Sequence, residues 1–355
     1  MSKKTTAKDA GPVAVKRPLD ARDLLVRYGF IAVTVLFFVY FAATIPAFRQ
    51  SSTMFSMLKF TSVVAITGLG VTVTMVVGGL DLSVGATAGM AVTVAAMTMV
   101  IYAQQGWVAF IAVIIAGALI GAFNALLIVA MKIPDLLATL ATMFLIQGLK
   151  LVPVDGQSVS SGLILRDGTV APGKFTPGFA QINRGSIDLG VFEVPYPVVI
   201  FLVIAVFTWF FLSRTKWGRV MYAIGSNPEA ARLAGARVGR YKAVAYMMSG
   251  VYAAIGGLIL ASRIGQGDIS AGNSLLLDAV AVSLVGTSVL GVNKPNAFGT
   301  ALGAVLIGIL LTGTTMMNFP YYWQDVVKGL VLLVALIFSF TLSRRKQRFV
   351  AAVPL

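Results

Sequence analysis

The chain has no cysteine and no histidine among its 355 residues. The first absence excludes disulfides and thiolate chemistry, and the second excludes imidazole metal ligands and histidine-based catalysis. The sequence also lacks the pattern GxxxxGK[ST], the phosphate-binding loop through which many proteins bind ATP. Any reaction would have to use carboxylates, lysines or hydroxyls. We predict no catalytic residue and no metal site, so the chain is not expected to be an enzyme.

Charged residues are scarce as well. They make up 12% of the chain, whereas apolar residues make up 58% and the mean hydropathy is +0.89. A soluble domain cannot cover its surface with so few charges. Because a helix satisfies all of its own backbone hydrogen bonds in lipid, the composition predicts an all-α integral membrane protein.

The chain is rich in apolar segments of about 20 residues, the length at which a helix crosses a bilayer. Ten occur, at 28–48, 55–77, 84–102, 107–131, 136–154, 195–212, 243–261, 276–291, 297–315 and 326–342. They predict about ten transmembrane helices, forming one membrane domain over 28–342, between polar tails at 1–27 and 343–355. The second and third segments are divided only by GGLDLS, and the eighth and ninth only by NKPN, so a broken helix is an alternative at each place.

The basic residues predict the orientation of these helices. The formal net charge is +15, and Lys and Arg are concentrated in the N-terminal tail, in 213–242 and in the C-terminal run SRRKQR. Cytoplasmic loops carry an excess of Lys and Arg, and a count of ten places all three clusters on one side. We therefore predict that both termini and 213–242 are cytoplasmic and that the mildly acidic connection 155–194 is extracytoplasmic. Next to apolar segments, the clusters favour contact with anionic lipid rather than nucleic acid.

A count of ten also divides into two halves of five. An odd number per half means that the second half enters the membrane in the opposite sense, as in a five-plus-five inverted repeat. The run GALIGAFNALLI (117–128) resembles GTALGAVLIGIL (299–310) at the equivalent position. Small residues at this spacing are common in any tightly packed span, so ordinary helix packing is the alternative explanation.

The cytoplasmic segment 213–242 contains a short helix signal of its own. Asn227 can cap the first free N–H groups, Pro228 suits the first helical position and Gly235 suits the end. A capped helix between two spans is more than a tether needs, which favours a docking surface over an ordinary surface helix.

Several polar residues fall near membrane depth. Those that a translocation pathway would use are Gly79, Asp81, Ser83, Asn124, Gln147 and Asp278. The alternative roles are structural. Asp81 would cap the following helix, and Asn124 and Gln147 would form interhelical hydrogen bonds. We expect the long side chains of Lys59 and Lys150 to reach the membrane surface.

Four runs resemble one family of proteins. They are GGLDLSVG (78–85), GRVMYAIGSNPEAARLAGARVGRYK (218–242), LLLDAVAVSLVGTSVLG (275–291) and YYWQDVVKGLVLLVALIF (321–338). In this order they resemble the bacterial ABC-importer permeases for ribose, galactose, xylose and related sugars. One departure is the turn after Gly291, where the family has more glycine and this chain has Pro295. A stiffer turn is expected there.

The resemblance implies a permease subunit of the bacterial cytoplasmic (inner) membrane that moves a small neutral polar solute, most simply a monosaccharide. It implies a second permease copy, two cytoplasmic ATPase subunits that bind ATP and Mg, and an extracytoplasmic solute-binding protein. It also implies a coupling helix that docks on the ATPase, formed here by Asn227, Pro228, Glu229, Ala230, Ala231, Arg232, Leu233, Ala234 and Gly235.

Two alternative functions remain at the level of sequence. A permease of the same superfamily for branched-chain amino acids or nucleosides would keep the coupling helix and change the solute site. An ion-coupled carrier would work alone, with Asp81 or Asp278 titrating during transport.

Overall fold

The structure is a computed structural model, and it describes residues 21–190, 193–288, 294–320, 322–331 and 333–334. The described chain is mostly helical. The helices are α1 (Ala21–Thr44), α2 (Ser51–Val76), α3 (Val84–Ala96), α4 (Gly106–Ala125), α5 (Asp135–Leu149), α6 (Pro177–Arg184), α7 (Tyr196–Arg214), α8 (Lys216–Ser226), α9 (Pro228–Leu233), α10 (Val238–Ile264), α11 (Leu275–Ser288) and α12 (Ala297–Met316). Helical residues at 322–331 and 333–334 form a further stretch, here called the final stretch.

Seven of these helices are long and apolar enough to cross a membrane. They are α2, α3, α4, α5, α7, α10 and α12, where α3 and α4 each continue into one π-helical turn (Met97–Ile101 and Leu126–Ala130) and α5 continues to Val154. Shorter apolar helices lie at Tyr28–Thr44 and Leu275–Thr287, and the last predicted segment is described only as far as residue 334. The helical membrane architecture is confirmed, whereas the count of ten and the orientation stay predictions.

The structure differs from the sequence predictions in three places. Helix α1 begins at Ala21 rather than at 28. The connection 155–194 contains α6 and a short antiparallel hairpin of β1 (Ser186–Asp188) and β2 (Glu193–Pro195), so the chain is not purely α-helical. The segment 213–242 contains a second helix, α8, which the sequence did not predict. The predicted stiff turn after Gly291 lies largely outside the described residues.

Helix α8 escapes prediction because its helix propensity is low and its packing is tertiary. Gly218 and Gly225 each weaken a helix by about 1 kcal/mol relative to alanine. Gly218, Met221 and Ile224 recur every three residues and are buried, so one face of α8 lies against the membrane helices. Packing of that face, rather than local preference, determines the helix.

The most buried span is α3. In its most apolar 18 residues 78% are buried inside the protein, compared with 28% in α7. Helices α2, α10 and α12 are also largely buried, while α4, α5 and α7 expose apolar side chains on their outer faces. Such faces suit contact with lipid, so α2, α3, α10 and α12 form the interior of the bundle.

Small residues let the interior helices approach closely. A Cβ atom on Gly250 of α10 would overlap the carbonyl oxygen of Gly117 of α4, and a Cβ on Gly299 of α12 would overlap that of Gly286 of α11. Because lipid supplies no hydrophobic drive between helices, close packing of this kind is a main source of their association.

Candidate functional site

The break between α2 and α3 is the first element of the candidate site. Helix α2 ends at Val76, and α3 begins at Val84 after a non-helical run in which Gly78 has a φ of +80°. The interruption predicted at GGLDLS is therefore present. Asp81 and Ser83 are buried within it. Gly78 is exposed, whereas Gly79, Leu80 and Leu82 are half-buried, so the break runs from the protein surface to the buried Asp81 and Ser83. Non-helical backbone in a membrane protein is tolerated where it is buried in protein or lies beside water.

Asp81 organises a buried polar cluster at this break. Its Oδ1 accepts hydrogen bonds from the Ser83 backbone N–H at 2.9 Å and the Ser83 hydroxyl at 2.6 Å. Its Oδ2 accepts one from the hydroxyl of Ser249 on α10 at 2.8 Å, and Asn124 on α4 donates to Ser83 Oγ at 2.8 Å. These four residues are called the Asp81 cluster. Within the described part of the chain, Asp81 forms no ion pair.

The Asp81 cluster can be compared with the sequence predictions for its residues. Three of the six predicted pathway residues, Asp81, Ser83 and Asn124, meet there. The interhelical hydrogen bond expected of Asn124 is confirmed. Asp81 does not cap α3 as predicted: the N-cap residue is Ser83, no side chain caps the helix, and Asp81 accepts the N–H of Ser83 from two residues before it. Ser249 was not predicted, because a serine inside an apolar helix carries no local signal of a distant partner.

Gly79 lies at the edge of the cluster, beneath side chains of two other helices. A Cβ atom there would overlap the Asp135 carboxylate of α5 and the Tyr246 hydroxyl of α10. Asp135 accepts hydrogen bonds from Lys242 Nζ at 3.1 and 3.0 Å and from Tyr246 at 3.0 Å. No local sequence pattern singles out Asp135. Gln147, by contrast, is half-buried on α5 and is not part of the cluster.

Asp278 lies apart from the Asp81 cluster. It is on α11, is 1% exposed, and lies 3.1 Å from the ammonium group of Lys328 in the final stretch. Lys328 is itself buried, and it also lies 3.9 Å from the exposed Asp325. The two carboxylates that an ion-coupled carrier was expected to use therefore lie in different environments.

Lys150 is covered by protein rather than exposed. Its side chain at the end of α5 is buried and donates to the carbonyl oxygen of Ala271 at 3.4 Å. The loop before α11 covers the amine, and the position of Lys150 relative to the membrane surface stays a prediction. Lys59 on α2 is half-buried.

The predicted cap signals of the coupling helix are confirmed in α9. The Asn227 side chain accepts the Ala230 N–H at 2.9 Å, Pro228 is the first helical residue and Gly235 has a φ of +87° after the helix end. Local capping is therefore sufficient to start and stop this short helix.

One face of α9 points away from the protein. Glu229 and Arg232 form an exposed ion pair at 2.9 Å, and the side chain of Leu233 is 86% exposed. Ala231 is only 7% exposed and packs against the core. Of the predicted coupling residues, Ala231 therefore cannot contact a partner directly. Asn227, Pro228, Ala230, Ala234 and Gly235 are exposed around the other three.

Helix α8 joins this surface to the membrane helices. A Cβ atom on Gly225 would overlap the Val76 carbonyl oxygen, so α8 lies directly against the start of the break. Tyr222 donates to the carbonyl oxygen of Pro295 at 2.7 Å, and burial raises the pKa of its hydroxyl. The segment 213–242, here called the coupling segment, thus touches both the break and the turn before α12.

Comparison with known proteins agrees with this arrangement. A family model described as branched-chain amino acid transport system / permease component matches residues 53–336. The ribose import permease protein of Haemophilus influenzae is 32% identical over 326 residues, covering 92% of this chain and 96% of the relative. The galactose/methyl galactoside import permease protein of Escherichia coli is 31% identical, covering 85% and 90%. The xylose transport system permease protein of Haemophilus influenzae is 28% identical, covering 89% and 96%. No solved structure matches the chain.

These similarities span almost the whole chain and include both the break and the coupling segment. They favour an importer subunit over a carrier that works alone. With the membrane helices and the exposed α9, they lead to one conclusion: the chain belongs to the ABC-transporter permease components, multi-pass subunits of the bacterial cytoplasmic membrane that rely on separate subunits for ATP hydrolysis.

Proposed function

We propose that this chain forms the translocation pathway of an ATP-driven importer for a monosaccharide. The observation that carries the ATP-driven part is α9, a capped helix whose Glu229, Arg232 and Leu233 face away from the protein. A charged and apolar face of this size suits a groove on a cytoplasmic ATPase. The sugar specificity is supported by relatives named for ribose, xylose and galactose.

The proposed topology has ten membrane helices with both termini in the cytoplasm. It is supported by contacts among the connections. The break, Asp135, α8 and Pro295 touch one another at one end of the bundle. The loop before α11 touches the 155–194 connection, where Val159 and Gly267 form a bridge, at a place that the topology puts on the opposite side. In each of these contacts, the proposed topology places both connections on the same side of the membrane.

The helix contacts also support the five-plus-five inverted repeat. In that scheme α10, α11 and α12 are the counterparts of α2, α3 and α4. Helix α4 packs on α10, and correspondingly α12 packs on α2. Helix α3 contacts α4 and α10, just as α11 contacts α12 and α2. A two-fold axis in the membrane plane would generate this pairing.

The remaining partners follow from this assignment. The ATPase subunits would bind α9 and hold ATP and Mg, while a solute-binding protein would deliver the sugar on the side of the 155–194 connection. A second copy of the chain would complete the pathway as a homodimer, and anionic lipid would surround the basic cytoplasmic segments. Movement of α9 would switch the dimer between outward-facing and inward-facing states. We propose no nucleic-acid partner for this assembly.

The pathway is proposed to run beside the Asp81 cluster. Hydroxyl, amide and carboxylate groups are the partners that the hydroxyls of a sugar require. Gly79, Asp81, Ser83 and Asn124 are therefore the first candidates. Gln147 and Asp278 lie outside the cluster, and a role for them on the pathway stays a prediction from sequence.

Solute specificity is tested by reconstituting the chain in liposomes with its ATPase and its solute-binding protein. ATP-dependent uptake of labelled ribose, xylose or galactose is expected. The second candidate, a branched-chain amino acid permease, is favoured by the description of the family model. Uptake of leucine, or of a nucleoside, without uptake of any sugar would replace the proposed solute and leave the importer assignment standing. Uptake by the chain alone without ATP would overturn the importer.

The coupling surface is tested by changing the exposed leucine of α9. We expect Leu233→Asp to abolish ATPase binding in a pull-down from detergent while leaving the purified chain intact. A matched control is Leu189→Asp, because Leu189 is also exposed but lies in the connection assigned to the opposite side. Equal loss of binding in both variants, or in neither, would show that α9 is not the docking surface. Ala231 is unsuited to this test because it is buried.

A further inference from the structure

We propose that Asp135 is a positioning residue for the transport cycle: through its ion pair with Lys242, it ties the break at Gly79 to the cytoplasmic coupling segment. The pair is called the Asp135 latch. This inference rests on the proposed function. It assigns a role to a residue outside both the docking helix and the Asp81 cluster.

The latch is well built for holding two helices together. Lys242 Nζ lies 3.1 Å from Asp135 Oδ1 and 3.0 Å from Oδ2, so it bridges both carboxylate oxygens. The Tyr246 hydroxyl donates to Oδ2 at 3.0 Å. The two charged side chains are only 23% and 17% exposed, so solvent screens this pair less than an exposed one. Asp135 begins α5, while Lys242 and Tyr246 lie in the first turns of α10.

The latch rests directly on the backbone of the break. The Asp135 carboxylate and the Tyr246 hydroxyl occupy the space that a Cβ atom on residue 79 would need. Close by, the Thr139 hydroxyl of α5 lies 3.2 Å from the Leu80 carbonyl oxygen. The start of α5 therefore covers Gly79 and Leu80, immediately before Asp81. The break cannot shift toward α5 or α10 while these contacts persist.

The coupling segment reaches the break from its other end as well. Gly225, two residues before the cap of α9, lies against Val76 and Gly78. Lys242 lies seven residues after Gly235, near the end of the same segment. Gly225, on one side of α9, therefore touches the break directly, while Lys242, on the other side, holds the Asp135 carboxylate that covers Gly79. A displacement of α9 would act on the break through these two contacts.

The two contacts differ in what they allow. The Gly225 contact is steric, so it transmits a push but not a pull. The Asp135 latch is electrostatic, so it resists separation and can also be broken and re-formed. We infer that the latch keeps the break seated when no ATPase signal is present. Its loss should free the break without removing the docking surface.

The test uses the absence of cysteine. Leu82→Cys places a single thiol in the break of an otherwise cysteine-free chain. In the reconstituted assembly with ATPase and solute-binding protein, two quantities are measured. One is the rate at which a cytoplasmic maleimide labels the thiol. The other is ATP hydrolysis with the binding protein divided by hydrolysis without it.

We expect Asp135→Asn to raise the labelling rate and to lower the hydrolysis ratio, each by about fivefold or more, the lower end of typical coupling between sites. The exchanged pair Asp135→Lys with Lys242→Asp should restore both toward the parent values. Arg166→Gln is the matched control, because it breaks the exposed Arg166–Asp155 pair in the connection assigned to the other side. Neither quantity should change in that variant.

The latch is overturned if Asp135→Asn assembles normally and both quantities equal those of the parent. It is also overturned if the exchanged pair behaves like the single variant. If Asp135→Asn fails to fold, Lys242→Gln takes its place with the same expected result. Failure of the proposed function would look different, because the parent chain itself would then show no stimulation of hydrolysis by the binding protein.

Discussion

Asp81 and Asp278 are both buried carboxylates within the helical bundle, but the protein holds them in different ways. Asp81 accepts hydrogen bonds from a backbone N–H and two hydroxyls, with no ion pair in the part of the chain that the structure describes. Asp278 lies 3.1 Å from the ammonium of Lys328, and among the described residues its Oδ1 accepts no aligned hydrogen bond. Neutral donors hold the first carboxylate, and a cation balances the second.

The difference indicates different roles. Removing one member of a buried ion pair leaves the other charge uncompensated, so separating such a pair is costly. We therefore assign Asp278 and Lys328 a structural role, which is to hold α11 and the final stretch together. The hydroxyls and the amide of the Asp81 cluster carry no charge and can exchange partners at lower cost. A site that must bind and release a neutral solute needs groups that can exchange hydrogen-bond partners at low cost. Four substitutions test the comparison.

The largest effect is expected from Asp278→Ala. The buried ammonium of Lys328 would lose its counter-charge, which we expect to destabilise the protein by about 3–5 kcal/mol. Thermal unfolding in detergent, followed by tryptophan fluorescence, measures the loss. The double variant Asp278→Leu with Lys328→Met should recover most of it, because an apolar pair of similar volume can replace a buried ion pair. A single variant as stable as the parent would refute the structural assignment.

A smaller loss is expected from Asp81→Ala. The backbone N–H of Ser83 and two hydroxyls would lose their acceptor, which we expect to cost about 1–3 kcal/mol because the hydroxyls can rotate toward other acceptors. The same unfolding experiment applies. Asp81→Asn keeps one acceptor oxygen and should cost less. If Asp81→Ala costs more than Asp278→Ala, the ranking of the two carboxylates is wrong.

Ser249→Ala tests one hydrogen bond of the Asp81 cluster. It removes one of three donors to Asp81 and leaves Ser83 in place, so we expect a loss of about 1 kcal/mol in stability. If the cluster lines the pathway, uptake in liposomes should fall further than the loss of stability alone would explain. Unchanged uptake together with the expected stability loss would assign the cluster a structural role only.

The smallest effect is expected from Asp325→Asn. Asp325 lies 3.9 Å from Lys328, but its side chain is 74% exposed, so solvent screens the pair. We expect no measurable change in thermal unfolding. A clear loss of stability would mean that the exposed Asp325 stabilises Lys328 as the buried Asp278 does. Burial would then not explain the strength of these ion pairs, and the contrast between Asp81 and Asp278 would be weaker.

The parts of the site that depend on neighbours in sequence were predictable. Asn227, Pro228 and Gly235 specify where α9 starts and stops, because capping acts within one turn of a helix. The interruption at GGLDLS was equally visible. The contacts of Asp81 with Ser249, of Asp278 with Lys328 and of Asp135 with Lys242 were not. Their partners lie 168, 50 and 107 residues away, and no local pattern encodes them.

By itself, the sequence determined the membrane class, the apolar segments and the capped helix α9, since hydropathy, charge clusters and cap residues act over short stretches of chain. Tertiary structure decided which side chains are accessible and which are paired. It turned Ala231 inward and Leu233 outward, buried Lys150, formed α8 by packing, and brought Asp135 and Lys242 together over Gly79. The reason is physical: burial and ion pairing depend on which helices become neighbours, and that is settled only when the close-packed interior forms.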